Sequence, residues 1–368
     1  MNKKVLHIIL TIVYIVIFEF ACKGMMKVFE NDNVSTVKPL SEEEIAESKN
    51  QIYVIPTTKD IIKENTAWCA SFQLIWNDIQ DNLVEGDIIF DEQNTLMDNL
   101  NNQIFEEKNI SNEYYYKKCG LMTPALKEEI ERGVLKKFGE KNTFLNTLEW
   151  ENRGQRYFLY SMIKKDVEFL RGFEILEKGS FKDTESVEYF GIEKSEDKNL
   201  REQVYVLYYE NEKDFAVKLY TKSGDEIIVA TKNDGTNFEE IYNKIIDKNK
   251  VYTGTREFGK LDTFKMPNLS MDVLREYEEL AGKPFGIKNG NTVEIEKAIQ
   301  IIQINLNNKT GKAKKEEKQE IQSGITFDIG EPRDFIFNSD FVMFFKETSK
   351  EYPYFAASIN DIKLFEQN

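Results

Sequence analysis

The sequence predicts an α+β protein with helices first and mainly antiparallel strands after them. Apolar residues recur at helical spacing in the first half. Short β-branched and aromatic runs, separated by turn residues, fill the second half. The strand–helix alternation of a parallel sheet is not seen. The chain has 368 residues, 41% of them hydrophobic, with 26 Phe and 17 Tyr. That is enough apolar material for a large core, so the chain is not of the disordered class.

The N-terminus, "MNKKVLHIILTIVYIVIFEFACKG", places Lys3 and Lys4 before an apolar run from Val5 to Cys22. A positive start and an apolar core describe an export signal. The run is also just long enough to span a bilayer. Three readings stay open: an uncleaved membrane anchor, a cleaved signal, or a lipoprotein attached through Cys22. The "FEFAC" box carries Glu19 where an aliphatic residue is usual, which weighs against lipid attachment. All three place the body outside the cytoplasm, secreted or held at the membrane. Usage rich in Lys, Asn and Ile has a bacterial look. The expected organisation is residues 1–22 as signal or anchor, 23–63 as a tether and lead-in, and 64–368 as one domain with a loop at 310–334.

Within the tether, "SEEEIAESK" is a short helical candidate. "NTAWCASFQLIWNDIQDNL" puts Trp68, Phe72, Ile75 and Ile79 on one helical stripe. Two charged helices are expected at Thr95–Glu107 and Thr123–Phe138. "QVYVLYYE", "DFAVKLYT" and "DEIIVAT" read as an antiparallel meander, with turns at Asn211–Asp214 and Ser223–Asp225. "NFEEIYNKIID" is helical by spacing. "MDVLREYEELAG" is also read as helical, with Gly282 just past its end. "TVEIEKAIQIIQINL" is a long strand, and "DFVMFFKE" with "YPYFAASI" a final hairpin.

Several function classes are excluded or unsupported. The net charge of -15 disfavours nucleic-acid binding, which needs a basic surface. The one histidine, His7, lies in the N-terminal apolar run. The main domain therefore has no Ser-His-Asp or Cys-His catalysis and no His-based zinc site. Cys22, Cys69 and Cys119 form no C-x-x-C pair. Cys69 reads as core, and an exported chain would also allow a Cys69–Cys119 disulfide. "GKA" at 311–313 lacks the features of a phosphate loop. No paired-carboxylate geometry can be read from acidic runs such as "SEEEIAES". No cofactor, metal or enzymatic activity is expected.

The tail "FNSDFVMFFKETSKEYPYFAASIND" resembles the C-terminal hairpin of serpins, the serine-protease-inhibitor fold. Phe337, Phe341, Phe355 and Ala357 fall in the matching places, with Asp340 where the family prefers Pro and Ala357 where it prefers Gly. Other blocks follow in order. "NTAWCASFQL" is similar to the first helix, and "SMIKKDVEFLRGF" lies over the family's "NAxYFKGxWxxPF", keeping Phe169 and Phe173. "VYVLYYENEKDFAVKLYTKSGDEII" matches the central strands. "FKMPNLSMDVLREYEELAGKPF" matches a strand and helix, and "INLNNKTGKA" the strand running into the reactive-loop hinge. The resemblance covers about 64–362, and the stretch 82–110 departs from it.

The resemblance implies that "TGKAKKEEKQEIQSG" begins a reactive-centre loop, displayed as bait for a serine protease. In serpins the cut loop inserts into the main sheet as a new strand and traps the protease as an acyl-enzyme. The implied hinge residues are Asn308, Thr310, Gly311 and Lys312, where the family has "E-x-G-T-E-A-A-A". A strand buries alternate side chains. With Gly311 as hinge glycine, the inward residues are Lys312, Lys314, Glu316, Lys318 and Glu320. The other register turns in Gly311, Ala313, Lys315, Glu317 and Gln319. Buried charge costs several kcal/mol unless paired, so a loop that stays out is favoured over efficient suicide inhibition. The residue before the cut is Ile325, Phe327 or Ile329, which implies a protease with a hydrophobic specificity pocket. Two readings are carried forward: a protease-directed loop protein, and a non-inhibitory binding protein of the same fold at the cell surface.

Overall fold

The computed structural model describes residues 52–151, 154–231, 234–308 and 331–365. Along the chain come β1 (Tyr53–Ile55), β2 (Thr66–Cys69), α1 (Ser71–Ile79), α2 (Thr95–Asn101), β3 (Tyr115–Leu121), α3 (Pro124–Phe138) and β4 (Arg156–Asp166). Then follow β5 (Glu174–Phe181), β6 (Thr184–Glu193), α4 (Lys198–Arg201), β7 (Val204–Asn211), β8 (Asp214–Tyr220), β9 (Asp225–Thr231) and α5 (Phe238–Val251). The last elements are β10 (Thr263–Pro267), β11 (Leu269–Glu276), β12 (Pro284–Gly286), β13 (Thr292–Leu306), β14 (Asp334–Ile336), β15 (Phe341–Glu347) and β16 (Phe355–Ile359). The architecture is α+β, as the sequence predicts.

The strands form three sheets. A seven-stranded sheet has the order β1-β2-β16-β15-β9-β8-β7, and a four-stranded sheet the order β14-β10-β6-β5. The third sheet runs β11-β13-β4-β3, with β12 on the start of β13. The expected meander is β7-β8-β9, antiparallel throughout. The expected hairpin is β15-β16, and every residue of β16 is buried. Aromatic rings join these sheets into one core. Phe337 lies 5.4 Å from Phe341 and 5.0 Å from Phe215, ring to ring.

The helices follow their local signals. α3 starts at Pro124, and the Thr123 hydroxyl accepts from the Leu126 amide at 3.3 Å. Gly139, at φ +71°, donates its amide to the Leu135 carbonyl and ends the helix. Leu126, Ile130 and Val134 are its buried stripe, one turn apart. α5 is capped by Asn237, which accepts from the Glu240 amide at 2.9 Å.

Four sequence expectations are corrected. Thr66–Cys69 is a strand, not the first turns of a helix, because all four residues are buried and pair antiparallel with β16. Asn65 takes a left-handed φ of +49°, and its side-chain oxygen accepts from the Asn360 and Asp361 amides, both at 2.8 Å. "MDVLRE" is likewise strand β11, paired along its length with β13, and only a 3-10 turn at Glu278–Leu280 precedes Gly282. The helix expected over Thr95–Glu107 stops at Asn101. The folded body also starts before residue 64, since Tyr53–Ile55 pairs with β2. Cys69 and Cys119 are free thiols, not a disulfide. Burial pushes their pKa values up to about 11 and about 12. They sit in different sheets, Cys69 opposite Phe355 and Cys119 opposite Leu159.

Among the described residues no helix is long and apolar enough to cross a membrane. The Val5–Cys22 run and Cys22 lie outside the described residues.

Tight inter-sheet packing gives a direct test. A Cβ on Gly191 would stand 1.8 Å from the Phe264 carbonyl oxygen, a backbone atom that cannot swing away. Gly191→Ala is expected to cost at least about 3 kcal/mol, the upper end of overpacking. Urea unfolding checks this, and a loss below about 1 kcal/mol would contradict the packing described.

Candidate functional site

In sequence, the charged segment lies between the end of β13 at Leu306 and the start of β14 at Asp334. Asn308 is half-buried in the turn just after β13. Thr310, Gly311, Lys312 and the three cut-site candidates Ile325, Phe327 and Ile329 lie outside the described residues. The structure therefore fixes the two ends of the segment and the sheet beside it.

β13 and β4 are parallel, hydrogen-bonded neighbours from Glu294/Arg156 to Asn305/Asp166. No strand lies between them, and this seam is shut along the whole of β4. Both strands point toward the end where the segment leaves. A strand turning back from β13 into the seam would run antiparallel to both neighbours. It would replace one parallel ladder by two antiparallel ones, which are slightly more stable per residue. The backbone geometry thus favours an incoming strand.

The side chains are less welcoming. On the outer face Phe158, Tyr160, Met162, Ile299 and Ile301 pack under Leu126, Ile130 and Val134 of α3. On the inner face, Leu159 and Ala298 pack against α1, and Ile163, Ile302 and Ile304 join the main core. The lower end carries the Arg156 ion pairs with Glu294 and Glu296, and the upper end is polar too. There Asn305 donates to Asp166 at 2.6 Å, Gln303 donates to Asp272 at 3.3 Å, and Lys164 pairs with Glu140. The two-register argument changes accordingly. Because both faces are covered, the register that turns in Ala313 also turns Lys312, Lys314 and Glu316 toward α3. Neither register spares the charges.

Beneath the seam lies Gln300 of β13, fully buried. Its amide donates to the Cys69 carbonyl at 2.9 Å and the Ser71 hydroxyl at 3.0 Å. The Tyr277 hydroxyl donates to Gln300 Oε1 at 2.7 Å. Burial raises the Tyr277 pKa well above the usual phenol value, so it remains a donor. Tyr277 also stacks on Phe72 of α1 at 3.8 Å between ring centroids. One amide side chain thus ties the seam strand to the start of α1 and the end of β11. The sequence shows Gln300 only as a polar residue inside an apolar run, the one signal that could have marked it.

The return end is held by Arg333. Its guanidinium donates to Asp262 at 2.6 Å, the Thr255 carbonyl at 2.5 Å and the Glu257 carbonyl at 2.7 Å, and it lies over the Phe335 ring. β14 itself is a three-residue edge strand, parallel to β10. Phe335 at its middle is fully buried against Tyr209, Phe215 and Phe258, and Arg333 adds a polar anchor beside it. The end of the loop expected at 310–334 is therefore fixed structure from Arg333 onward.

A second feature lies elsewhere. A cleft of about 340 Å³ opens between α5, the outer side of β15 and β16, and the chain around Ile104 and Tyr352. Trp68, Phe105, Phe238, Tyr242 and Phe344 line it, with Lys59, Glu239 and Asn243 at its margin.

No protein-family model and no curated protein matches the chain. Solved structures similar to it include serpins. Serpin48 of the insect Tenebrio molitor is 15% identical over 68% of this chain and 77% of its own, with a TM-score of 0.39. Manduca sexta serine protease inhibitor (serpin)-12 is 11% identical over 66% and 67%, at 0.44. Thyroxine-binding globulin in complex with thyroxine is 13% identical over 64% of each chain, at 0.43. Likeness at this level adds no weight to the seam, which stands on strand order and register.

Replacing Arg333 tests the anchor. Arg333→Ala leaves the Asp262 carboxylate, 3% exposed, without its cation. The expected loss is about 3–5 kcal/mol, as for a broken buried pair. Limited proteolysis should then cut first near β14, and unchanged stability would remove Arg333 from its anchoring role.

Proposed function

We propose that this chain is a serpin-type protein that displays the segment between β13 and β14 to a serine protease. Its loop is a poor candidate for full insertion. The observation that carries this reading is the shut parallel seam beside the point where the segment departs. The serpin resemblance of the hinge strand and tail gives that seam its meaning. The protease supplies the serine and the acyl chemistry, and this chain supplies bait with Ile325, Phe327 or Ile329 before the cut. Insertion competes with hydrolysis of the acyl-enzyme, and about 1.4 kcal/mol added to the insertion barrier loses tenfold in that race. Charges entering a seam apolar on both faces add more than that. Cleavage without trapping is the expected outcome. We further propose that the body acts outside the cytoplasm, secreted or tethered through the N-terminal apolar run.

The test is incubation with a chymotrypsin-like or elastase-like protease. Clean cleavage within 325–330 is expected, with no complex surviving SDS and a melting temperature within about 3 °C of the uncut protein, a shift worth at most about 2 kcal/mol by the size scaling of Tm. A variant with Lys312→Thr, Lys314→Ala, Lys315→Ala, Glu316→Ala, Glu317→Ala, Lys318→Ala and Glu320→Ala, which clears the charges from both faces, should gain Tm on cleavage. A large rise in Tm on cutting the parent would overturn the charge argument. Resistance of the loop to every such protease would overturn the bait reading.

The cleft supports a second reading, a binding protein for a small aromatic molecule at the cell surface. Its volume and aromatic lining suit such ligands. The fluorescent probe 1-anilinonaphthalene-8-sulfonate should bind and quench Trp68. Asn243→Trp, on the exposed side of α5, should weaken that binding at least tenfold without loss of Tm. Equal binding by parent and variant would place the probe elsewhere.

A further inference from the structure

The most deeply buried ion pair described joins the strand that forms the seam to the sheet beneath it. Lys165, near the end of β4, points inward, and its side chain is 4% exposed. Its Nζ lies 2.5 Å from Asp225 Oδ2, where the Asp225 side chain is 1% exposed, and donates to the Ser223 hydroxyl at 2.9 Å. It also lies 3.5 Å from the centre of the Tyr114 ring. Asp225 opens β9 of the seven-stranded sheet. It accepts from the Ser223 hydroxyl at 2.5 Å and the Tyr354 hydroxyl at 3.2 Å. The Tyr114 hydroxyl approaches the same carboxylate at 3.4 Å. Directly across from Asp225 on β15, Glu347 accepts from the Ser111 hydroxyl at 2.7 Å and from its amide. The cluster thus draws on β4, the turn before β3, the β8–β9 turn and the approach to β16.

A buried pair of this kind is weak support for stability, because desolvation offsets the attraction. Its value lies in fixing one arrangement. If the upper end of β4 moves away from β13, Lys165 leaves Asp225 unpaired in the core. Ile304, opposite Lys165 on β13, carries no such tie.

We propose that Lys165 and Asp225, with Tyr114, Ser223 and Tyr354 around them, form a latch that holds β4 down and keeps the β13–β4 seam shut. The latch sits at the end of the seam where an entering strand would start. A contact on the surface turn at Lys222–Gly224 would act on Asp225 through Ser223, so the latch links that turn to the opening of the seam. The functional meaning rests on the proposed seam reading, but the latch is measurable with no protease and no cleavage.

Hydrogen exchange of the uncut protein reads the seam directly. Lys165→Met should speed exchange of the β4 and β13 amides at least tenfold, while the β8–β9 amides change less than twofold. Tyr354→Phe removes one hydrogen bond to Asp225 with no change of shape, so it keeps the fold. It should speed seam exchange about threefold with the same locality. Lys165→Arg, which keeps the charge, should restore protection relative to Lys165→Met. Seam exchange unchanged in Tyr354→Phe, or raised equally in both sheets, would overturn the latch. Clean protease results with an unaltered seam would remove the latch and leave the proposed function standing.

Discussion

The parallel ladder between β4 and β13 brings together two strands about a third of the chain apart, β4 ending at Asp166 and β13 starting at Thr292. The residues that separate them build β5, β6 and β10 of the four-stranded sheet, the β7-β8-β9 meander, α5, β11 and β12. Parallel strands need a covered surface on each side. Here α3 covers the outer face and α1 with the main core covers the inner face. This explains the composition of the two strands. "YFLYSMI" and "AIQIIQI" are mostly apolar and not alternating, broken only by Ser161, Gln300 and Gln303, because neither face meets water. It also explains the place of Gln300. A polar residue under such a seam must be fully satisfied, and it is, by two acceptors and one donor.

The seam has a polar end and an apolar body. Asn305, Asp166, Gln303, Lys164 and Lys165 crowd the end where the charged segment departs. Below Ile163 and Ile302 the middle of the lining is apolar, apart from Ser161 and Gln300, and the far end is charged again, with Arg156 paired to Glu294 and Glu296. The backbone direction invites a returning strand, the upper polar residues could receive its first charges, and the apolar body resists the rest. These three facts pull against one another, and the balance depends on how far a strand would have to enter.

Much of this arrangement was legible in the residues. β13, the meander, α3 and the final hairpin carry strong local signals, since their periodicity, turns and caps agree. β2 and β11 did not. "NTAWC" and "MDVLRE" have helix-compatible spacing, and their strand form is imposed by long-range pairing with β16 and β13. Propensity cannot see such partners. The seam itself was half legible. The hinge strand could be read, but not that its neighbour is β4 or that α3 covers the outer face. That cover is what turns a one-sided cost into a two-sided one. Arg333, Lys165 and Asp225 carry no motif, and their partners are distant in sequence, so only the fold could assemble them.

The charged segment and the shut seam also constrain each other in reverse. Where a loop is built to enter a sheet, small residues in the loop and a loosely closed seam serve the same end. Here the loop is crowded with Lys and Glu, and the seam is sealed by an apolar outer cover, by Gln300 beneath and by the Lys165–Asp225 pair at its mouth. Each feature alone would slow insertion, and each also lowers the need for the others. Their coincidence is what a displayed loop requires. Under the proposed function, the chemistry that disfavours trapping a protease would also favour a segment that stays presented.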